Sequence, residues 1–500
     1  MSSHKLAKCD KNWLLVALVK GTKLMSELLD SILEQGNLIS DSAPAQGLEV
    51  VQEFVERVAA DAEASPKGVG VRISEAIAQL DGEISRQLSA VMSHPDFQKL
   101  EATWRGLSYL IHNTETSTRL KLRVLPTTMA ELHKDLSQAV EFDQSQLFKK
   151  LYEDEYGTFG GTPYSMIVVD HEFTASNQDM DLLENLGSVA AAAHAPMISA
   201  ASPRMFHMDS FTSLGNPRDM AKVFESADYV KWHSFRDTED SRYVTLTLPR
   251  ILLRLPYGPD GKPVEELNYI EGVDGKEHDK FLWGNAAWAL AERVTNAFSL
   301  YGWTAAIRGV EGGGLVEGLP AHTFRTDEGD VALTCPTEIA ITDRREKEIS
   351  DLGFISLVHC KGTDKAAFFG GQTVNQPKTY NTDDANANAK LSARLPYIFA
   401  ASRFAHYFKV MLRDKIGSFQ TAEQIQDFLQ TWISDYILLD DSASQSAKAK
   451  FPLREARVDV REVPGSPGAF TAVAFLRPHF QLEEISASIR LVATLPAPAA

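Results

Sequence analysis

The sequences Arg457-Val458-Asp459-Val460-Arg461 and Phe470-Thr471-Ala472-Val473-Ala474-Phe475-Leu476 decide how the C-terminal part of this chain folds. In the first, valines alternate with charged residues, which is the period-two pattern of a half-buried β-strand. The second is apolar on both faces, which predicts a strand inside a sheet. Prolines and glycines in residues 463–468 predict a turn between them. A third strand pattern follows at Ile485–Leu491.

Three strands at the end of a chain leave sheet edges with unpaired backbone groups. Either the preceding domain covers these edges or another chain does. The second possibility predicts a polymer subunit that is joined to its neighbours by strand addition. The residues expected in such inter-subunit strands are Val458, Val460, Val473, Phe475, Ile489 and Leu491.

The composition is that of a soluble multi-domain protein. The 500 residues carry a net charge of −17, which argues against a nucleic-acid partner because such a partner requires a concentrated basic face. Three widely spaced cysteines without a CxxC motif make a disulfide framework improbable, and we expect a cytoplasmic protein. The apolar run Trp13–Val19 is too short to span a bilayer, so no membrane insertion is expected.

Residues 1–65 are expected to form a variable N-terminal arm, helical or partly disordered, which cannot bury much apolar surface alone. Residues 66–118 are predicted to be helical, and the first helix of this region carries one apolar stripe. That stripe packs either within the chain or on a partner helix. Its residues are Ile73, Ile77, Leu80, Ile84, Leu88 and Val91.

A second helix begins at His94-Pro95-Asp96, since proline is tolerated in the first turn. Its spacing predicts a buried face made of Phe97, Leu100, Trp104, Leu107 and Ile111.

Residues 119–388 show strand and helix patterns in alternation, which predicts a mixed α/β domain. Tyr164–Asp170 and Met197–Ala201 are predicted strands, and Tyr243–Leu255 is predicted to be an edge strand or connector because it contains Pro249. Residues 389–500 are predicted to hold two helices and the C-terminal strands. The second helix, Thr421–Leu439, opens with a capping box.

Motifs for catalysis are nearly absent. The glycine-rich loop Arg308–Gly318 has neither the P-loop nor the dinucleotide spacing, and a tight packed turn explains it better than a ligand loop. His359-Cys360 suggests a nucleophile pair, but it ends a strand pattern, where a buried structural cysteine is commoner. No metal-ligand spacing such as HExxH is present, and no cofactor is expected. An α/β enzyme that uses His359 and Cys360 remains an alternative.

The stretch His94-Pro95-Asp96-Phe97-Gln98-Lys99-Leu100-Glu101-Ala102-Thr103-Trp104-Arg105-Gly106-Leu107 resembles the signature of the large subunit of the type VI secretion contractile sheath, the TssC/VipB/ImpC family. Phe475-Leu476-Arg477-Pro478-His479-Phe480 is similar to the same family. The resemblance runs from about residue 70 to the end of the chain. A phage-derived contractile tail sheath protein is the alternative within this class.

The resemblance implies a phage tail-sheath-like, multi-domain fold without catalytic activity. Family members pair with a small sheath subunit (TssB/VipA type), and copies of the pair stack as a helical tube around an inner tube of Hcp. Baseplate components and a separate AAA+ unfoldase are further implied partners. N-terminal helices meet the small subunit, so its expected contacts are Ile73, Ile77, Leu80, Ile84, Leu88 and Trp104. Candidate flexing segments are Phe451–Ala456 and Pro478–Glu484.

Overall fold

The computed structural model describes residue 53 and residues 69–216, 219–259, 261–264, 267–273, 278–325, 331–418, 421–465, 469–479 and 481. The predicted strand at Ile485–Leu491, with Ile489 and Leu491, lies outside these residues, as does the N-terminal arm apart from Glu53. Ile73 is described by its backbone alone.

The chain divides into two compact units. One contains residues 1–97 and 256–273, and the other contains residues 98–255 and 274–500. This division does not follow the order of the chain, because the segment Pro256–Val273 leaves the second unit and joins the first.

The α-helices of five or more residues in the described part of the chain vary from one turn to nearly seven. They are α1 (Val69–Met92), α2 (Pro95–His112), α3 (Met129–Gln138), α4 (Asn177–Ala192), α5 (Met220–Phe224), α6 (Val230–Arg236), α7 (Ala287–Tyr301), α8 (Asp343–Asp351), α9 (Asp383–Ser392), α10 (Leu395–Asp414), α11 (Ala422–Ser434) and α12 (Gln445–Lys450). A π-helical segment spans Lys149–Tyr156.

The strands form one large sheet and three small ones. They are β1 (Ile167–Phe173), β2 (Met197–Ala201), β3 (Val244–Leu248), β4 (Ile251–Leu252), β5 (Trp283–Gly284), β6 (Leu315–Val316), β7 (Thr323–Arg325), β8 (Val331–Leu333), β9 (Phe354–His359), β10 (Ala366–Phe368), β11 (Leu453–Glu462) and β12 (Phe470–Pro478). The order in the large sheet is β1-β2-β3-β9-β10-β6. Its first four strands are parallel, and β10 and β6 are antiparallel additions.

Two apolar cores cover the two faces of the large sheet. Helix α4 belongs to one core and α7 to the other. Every residue of β2 and β3 is therefore buried, as in parallel sheets with helices on both faces. The mixed α/β fold predicted from the sequence is confirmed.

The predicted edge position of the strand before Pro249 is wrong. Strand β3 pairs with β2 on one side and with β9 on the other, so it lies in the interior of the sheet. The strand ends at Leu248, one residue before the proline, and the missing N–H of Pro249 therefore costs the sheet no hydrogen bond.

The face of α2 that was predicted to be buried is only partly buried: Phe97 and Leu107 are half-buried, but Leu100, Trp104 and Ile111 are exposed. Trp104 is 64% exposed and Leu100 is 55% exposed, while Gly106 and Leu110 are buried instead. A side chain at position 106 would overlap the indole of Trp288, so the glycine lets this ring approach the helix. Close approach at the glycine, rather than the apolar stripe, sets the orientation of α2.

Hydrogen bonds and a buried ion pair hold this orientation. Asp170 accepts hydrogen bonds from Thr103 Oγ1 (2.6 Å) and from Trp288 Nε1 (3.2 Å). Glu101 accepts from Arg254 Nε at 2.8 Å, and the Arg254 side chain is 5% exposed. Glu101 also accepts from Arg105 Nε at 2.7 Å, so its carboxylate lies between two guanidinium groups.

A cluster of rings joins α10 to the end of α4. His406 is 2% exposed, and its Nε2 lies 2.9 Å from the backbone oxygen of Ala193. Burial lowers the pKa of His406 to about 4, and the nearby positive charges of Arg403 and Lys409 act in the same direction. The neutral ring is therefore the form that this cluster stabilises.

Candidate assembly surface

The two strands β11 and β12 form an antiparallel hairpin at the C-terminal end of the described chain. Their register runs from Glu462 opposite Phe470 to Leu453 opposite Pro478, with one irregularity near Leu453. Both strands were predicted from the sequence, and the structure confirms them. Of the predicted turn at residues 463–468, residues 466–468 lie outside the described part of the chain.

One face of this hairpin is buried within the chain. Val458 and Val460 of β11 lie in a core with residues of α10 and α11, including the buried Leu429 and Ile433 of α11. The capping box that starts α11 is present, with the Thr421 hydroxyl and the Gln424 side chain bonded to each other's backbone N–H groups.

The opposite face of the hairpin is exposed. Val473 is 47% exposed and Phe475 is 53% exposed, and they alternate along β12 with half-buried residues. The guanidinium of Arg457 lies 4.9 Å from the centre of the Phe475 ring. Two neighbouring apolar side chains in solvent are a feature of protein interaction surfaces.

The outer edge of β11 is closed by side chains of the same chain. Gln430 Oε1 accepts a hydrogen bond from the Val458 N–H (2.9 Å), and Gln430 Nε2 donates to the Ala456 oxygen (3.2 Å). Gln426 Oε1 accepts from the Val460 N–H (3.0 Å). Val458 and Val460 therefore have their side chains and N–H groups engaged within the chain, which argues against strand addition along this edge.

The outer edge of β12 differs. Backbone groups alternate in direction along a strand, and those of Ala472, Ala474 and Leu476 point away from β11 because their partners in the register face the glutamines. Within the part of the chain that the structure describes, no strand pairs with this edge. Such an edge is a template for a further strand.

The ends of the hairpin are held to the rest of the second unit. Leu453 is buried, and its backbone is bonded to Tyr436 and Leu438. Beyond β12, the Tyr397 hydroxyl donates to the His479 oxygen (3.2 Å) and accepts from the Gln481 N–H (3.2 Å). The segment Phe451–Ala456, a candidate for flexing, is thus anchored in this conformation.

A second exposed apolar surface lies in the first unit, on α1. Ile77, Leu80, Ile84 and Val91 are each about half exposed, and Leu88 is partly buried. The helix predicted from the stripe is confirmed. Within the first unit, Ser89 bonds to Tyr269 (3.2 Å) of the segment Pro256–Val273, on a side of α1 away from the stripe.

Of the two residues considered for catalysis, His359 has a structural contact, whereas Cys360 is exposed, so the expectation of a buried structural cysteine is wrong for this residue. His359 Nε2 lies 2.8 Å from the Thr363 oxygen, in the turn after β9. The glycine-rich loop is a packed turn, as predicted: the Gly309 N–H donates to the Phe368 oxygen (2.7 Å), and a side chain on Gly314 would overlap backbone atoms. Among the described residues, no group of three or more His, Cys, Asp or Glu side chains could hold a metal ion.

Sequence reasoning missed Gln426 and Gln430. They lie four residues apart on α11, and this spacing was the available signal, because residues i and i+4 share one side of a helix. The residues predicted to contact the small subunit do not all belong to one unit. Trp104 belongs to the second unit, whereas Ile77, Leu80, Ile84 and Leu88 belong to the first.

Comparisons with known proteins agree over most of the chain. A family model described as EvpB/VC_A0108 tail sheath N-terminal domain (VipB) matches residues 74–375, and one described as the tail sheath gpW/gp25-like domain of the same group matches residues 384–495. The type VI secretion system sheath protein TssC1 of Pseudomonas aeruginosa is 51% identical over 427 residues, which cover 85% of this chain and 86% of that protein.

Solved structures overlap more weakly. The baseplate structure of the anti-feeding prophage has 10% identity and a TM-score of 0.34, with 63% of this chain and 66% of that chain covered. The sheath complex of an extracellular contractile injection system in the contracted state has 8% identity and a TM-score of 0.33, with 62% and 68% covered. These scores are too low to assign the fold. In the described residues, no helix is both long and apolar enough to cross a membrane.

Proposed function

The chain belongs to the VipB family of tail sheath proteins, and we propose that it is a structural subunit of a type VI secretion contractile sheath without catalytic activity of its own. The relative with 51% identity is a sheath protein, and His359, one of the two residues considered for catalysis, contacts the backbone of the turn after β9.

The outer edge of β12 is the observation that carries this proposal. A neighbouring chain would add a strand to the backbone groups of Ala472, Ala474 and Leu476, and would cover the exposed side chains of Val473 and Phe475. Backbone hydrogen bonds would give this contact its affinity, and the two apolar side chains would give it specificity. Of the predicted inter-subunit residues, Val473 and Phe475 therefore lie where a partner can reach them.

We further propose that the apolar stripe of α1 contacts the small sheath subunit. Its four half-exposed aliphatic residues recur at helical spacing. An apolar stripe of this kind packs against a groove or a second helix of a partner protein. The two surfaces would serve different purposes, since α1 would form the heterodimer and β12 would join one heterodimer to the next.

The proposed contacts at β12 and α1 would also explain polymerisation and contraction. A head-to-tail contact that does not close into a ring produces a helical filament, here a tube around Hcp, assembled in the cytoplasm on baseplate components. Contraction would be a switch between two packings of the same subunits, with the free energy stored at assembly. An AAA+ unfoldase would then disassemble the contracted sheath.

Co-expression of the full chain with a small sheath subunit, followed by affinity purification and negative-stain microscopy, tests the proposal. We expect a stable complex and hollow tubes. Soluble proteins that neither associate nor form tubes would overturn the proposal. Tubes formed by the full chain alone would instead indicate a phage-derived tail sheath.

A further inference from the structure

The two glutamines on α11 imitate a β-strand. The carboxamide of Gln430 both accepts from the Val458 N–H and donates to the Ala456 oxygen, as the peptide group of a neighbouring strand would. Gln426 repeats the acceptor contact at Val460, two residues further along β11. Three outward-facing backbone groups of this strand are therefore occupied: the C=O of Ala456 and the N–H groups of Val458 and Val460.

The spacing of helix and strand makes this imitation possible. Four residues of an α-helix advance by about 6 Å, and two residues of a strand advance by about 6.8 Å. Side chains at i and i+4 of α11 can therefore reach the N–H groups of residues j and j+2 of β11. The helix runs in the opposite direction to the strand, since Gln430 meets Val458 and Gln426 meets Val460.

The packing of α11 does not itself require glutamine at these positions. Ile425, Leu429 and Ile433 are buried beneath the sheet and hold the helix there, while Gln426 and Gln430 are half-buried at its side. Leucine at either position would keep an apolar side chain on this side of the helix and would remove the hydrogen-bonding groups. What glutamine adds is a donor and an acceptor that face the strand.

We propose that Gln426 and Gln430 form an edge cap, which blocks strand addition at β11 and so directs neighbouring chains to β12. An uncapped strand presents a row of free N–H and C=O groups, and such rows pair with any available chain. The capping rests only on the observed hydrogen bonds, whereas the directing of neighbours to β12 rests on the proposed function. The cap would keep the large subunit from joining copies of itself in the wrong register.

The test compares the full chain with the double variant Gln426→Leu/Gln430→Leu and with the control Asp427→Ala, an exposed residue on the same helix. Hydrogen exchange of the Val458 and Val460 amides should be at least tenfold faster in the double variant and unchanged in the control. Sedimentation velocity of the chain without a partner should show a several-fold larger oligomer fraction in the double variant only.

A single variant guards against misfolding as the explanation. Gln426→Leu should speed exchange at Val460 and leave Val458 unchanged, and exchange of the Leu246 amide in β3 reports whether the fold is intact. Unchanged exchange at both valines, or faster exchange without any gain in self-association, overturns the proposal. If the unmodified chain forms no tubes with a small subunit, the proposed function is wrong. The exchange and sedimentation results would still test whether Gln426 and Gln430 cap the edge of β11.

Discussion

Replacing Phe475 with aspartate should abolish tube formation and leave the single chain folded. An aromatic side chain buries roughly 200 Å² when it is fully covered, and Phe475 is 53% exposed, so about 100 Å² is available to a neighbour. At about 25 cal/mol per Å², covering this area contributes about 2.5 kcal/mol to each contact between subunits. Its loss corresponds to an affinity lower by roughly 70-fold, before the cost of burying a carboxylate.

The same substitution should affect the free chain much less. The ring's contact with Arg457 contributes about 0.5–1 kcal/mol at an exposed site, and the introduced carboxylate would regain part of this by attraction to the guanidinium. The thermal unfolding midpoint should therefore stay close to that of the unmodified chain. Val473→Asp should behave in the same way, because Val473 is exposed on the same face.

Negative-stain microscopy and pelleting after co-expression with the small subunit measure the effect. Val140→Asp is the matched control, since Val140 is 87% exposed and lies in a loop far along the chain from the hairpin. Normal tubes from Phe475→Asp, with yields equal to those of the control, would refute the assignment of this face to the interface. Unfolding of the free variant would show that the Phe475 side chain is needed for the stability of the single chain.

Three further substitutions probe the interior. Burial holds the pKa of His406 near 4, against an ordinary value of 6.5. The free energy of unfolding should therefore be highest above pH 6.5 and fall by up to about 3 kcal/mol as the pH is lowered towards 4, because the unfolded chain binds a proton that the folded chain does not. Chemical denaturation across this range should be less pH-dependent for His406→Gln, and an equal pH dependence of the two proteins would contradict this. Gly106→Val should lower the free energy of unfolding by about 1–3 kcal/mol, because the new side chain overlaps the indole of Trp288. The control Gly82→Ala meets no atom within 4 Å and should raise the thermal unfolding midpoint slightly. Arg254→Ala should lower the free energy of unfolding by about 1.5–3 kcal/mol in urea, because Glu101 loses the buried guanidinium of Arg254 and keeps that of Arg105. A cost as small as that of Arg344→Ala at the surface would show that water reaches the site.

Regular local patterns were predicted well. The capping box at Thr421 specifies where α11 begins, because it depends on groups within four residues of each other. The alternation of Val458 and Val460 with charged residues likewise predicted β11 and its buried face. The long stripe on α1 predicted a helix, and four of its aliphatic side chains are about half exposed in the structure.

Errors occurred where one residue acts on a distant part of the chain. The apolar spacing of α2 suggested that Trp104 is buried, but the absent side chain of Gly106 admits Trp288 from α7, and the buried side of the helix carries Gly106 and Leu110. Pro249 suggested an edge, although it falls one residue beyond the last paired residue of β3. Neither fact can be read from periodicity, because both depend on which elements meet.

Side-chain spacing along the chain predicted the helix α1, the strands β11 and β12 and the capping box of α11, and sequence motifs indicated the family. Which edge of the hairpin is closed could not be predicted in this way. Gln426 and Gln430 occupy the backbone groups of β11 from a helix that precedes the strand by about thirty residues. A strand's hydrogen-bonding capacity is identical on both edges, so the choice between them is made by what packs beside it.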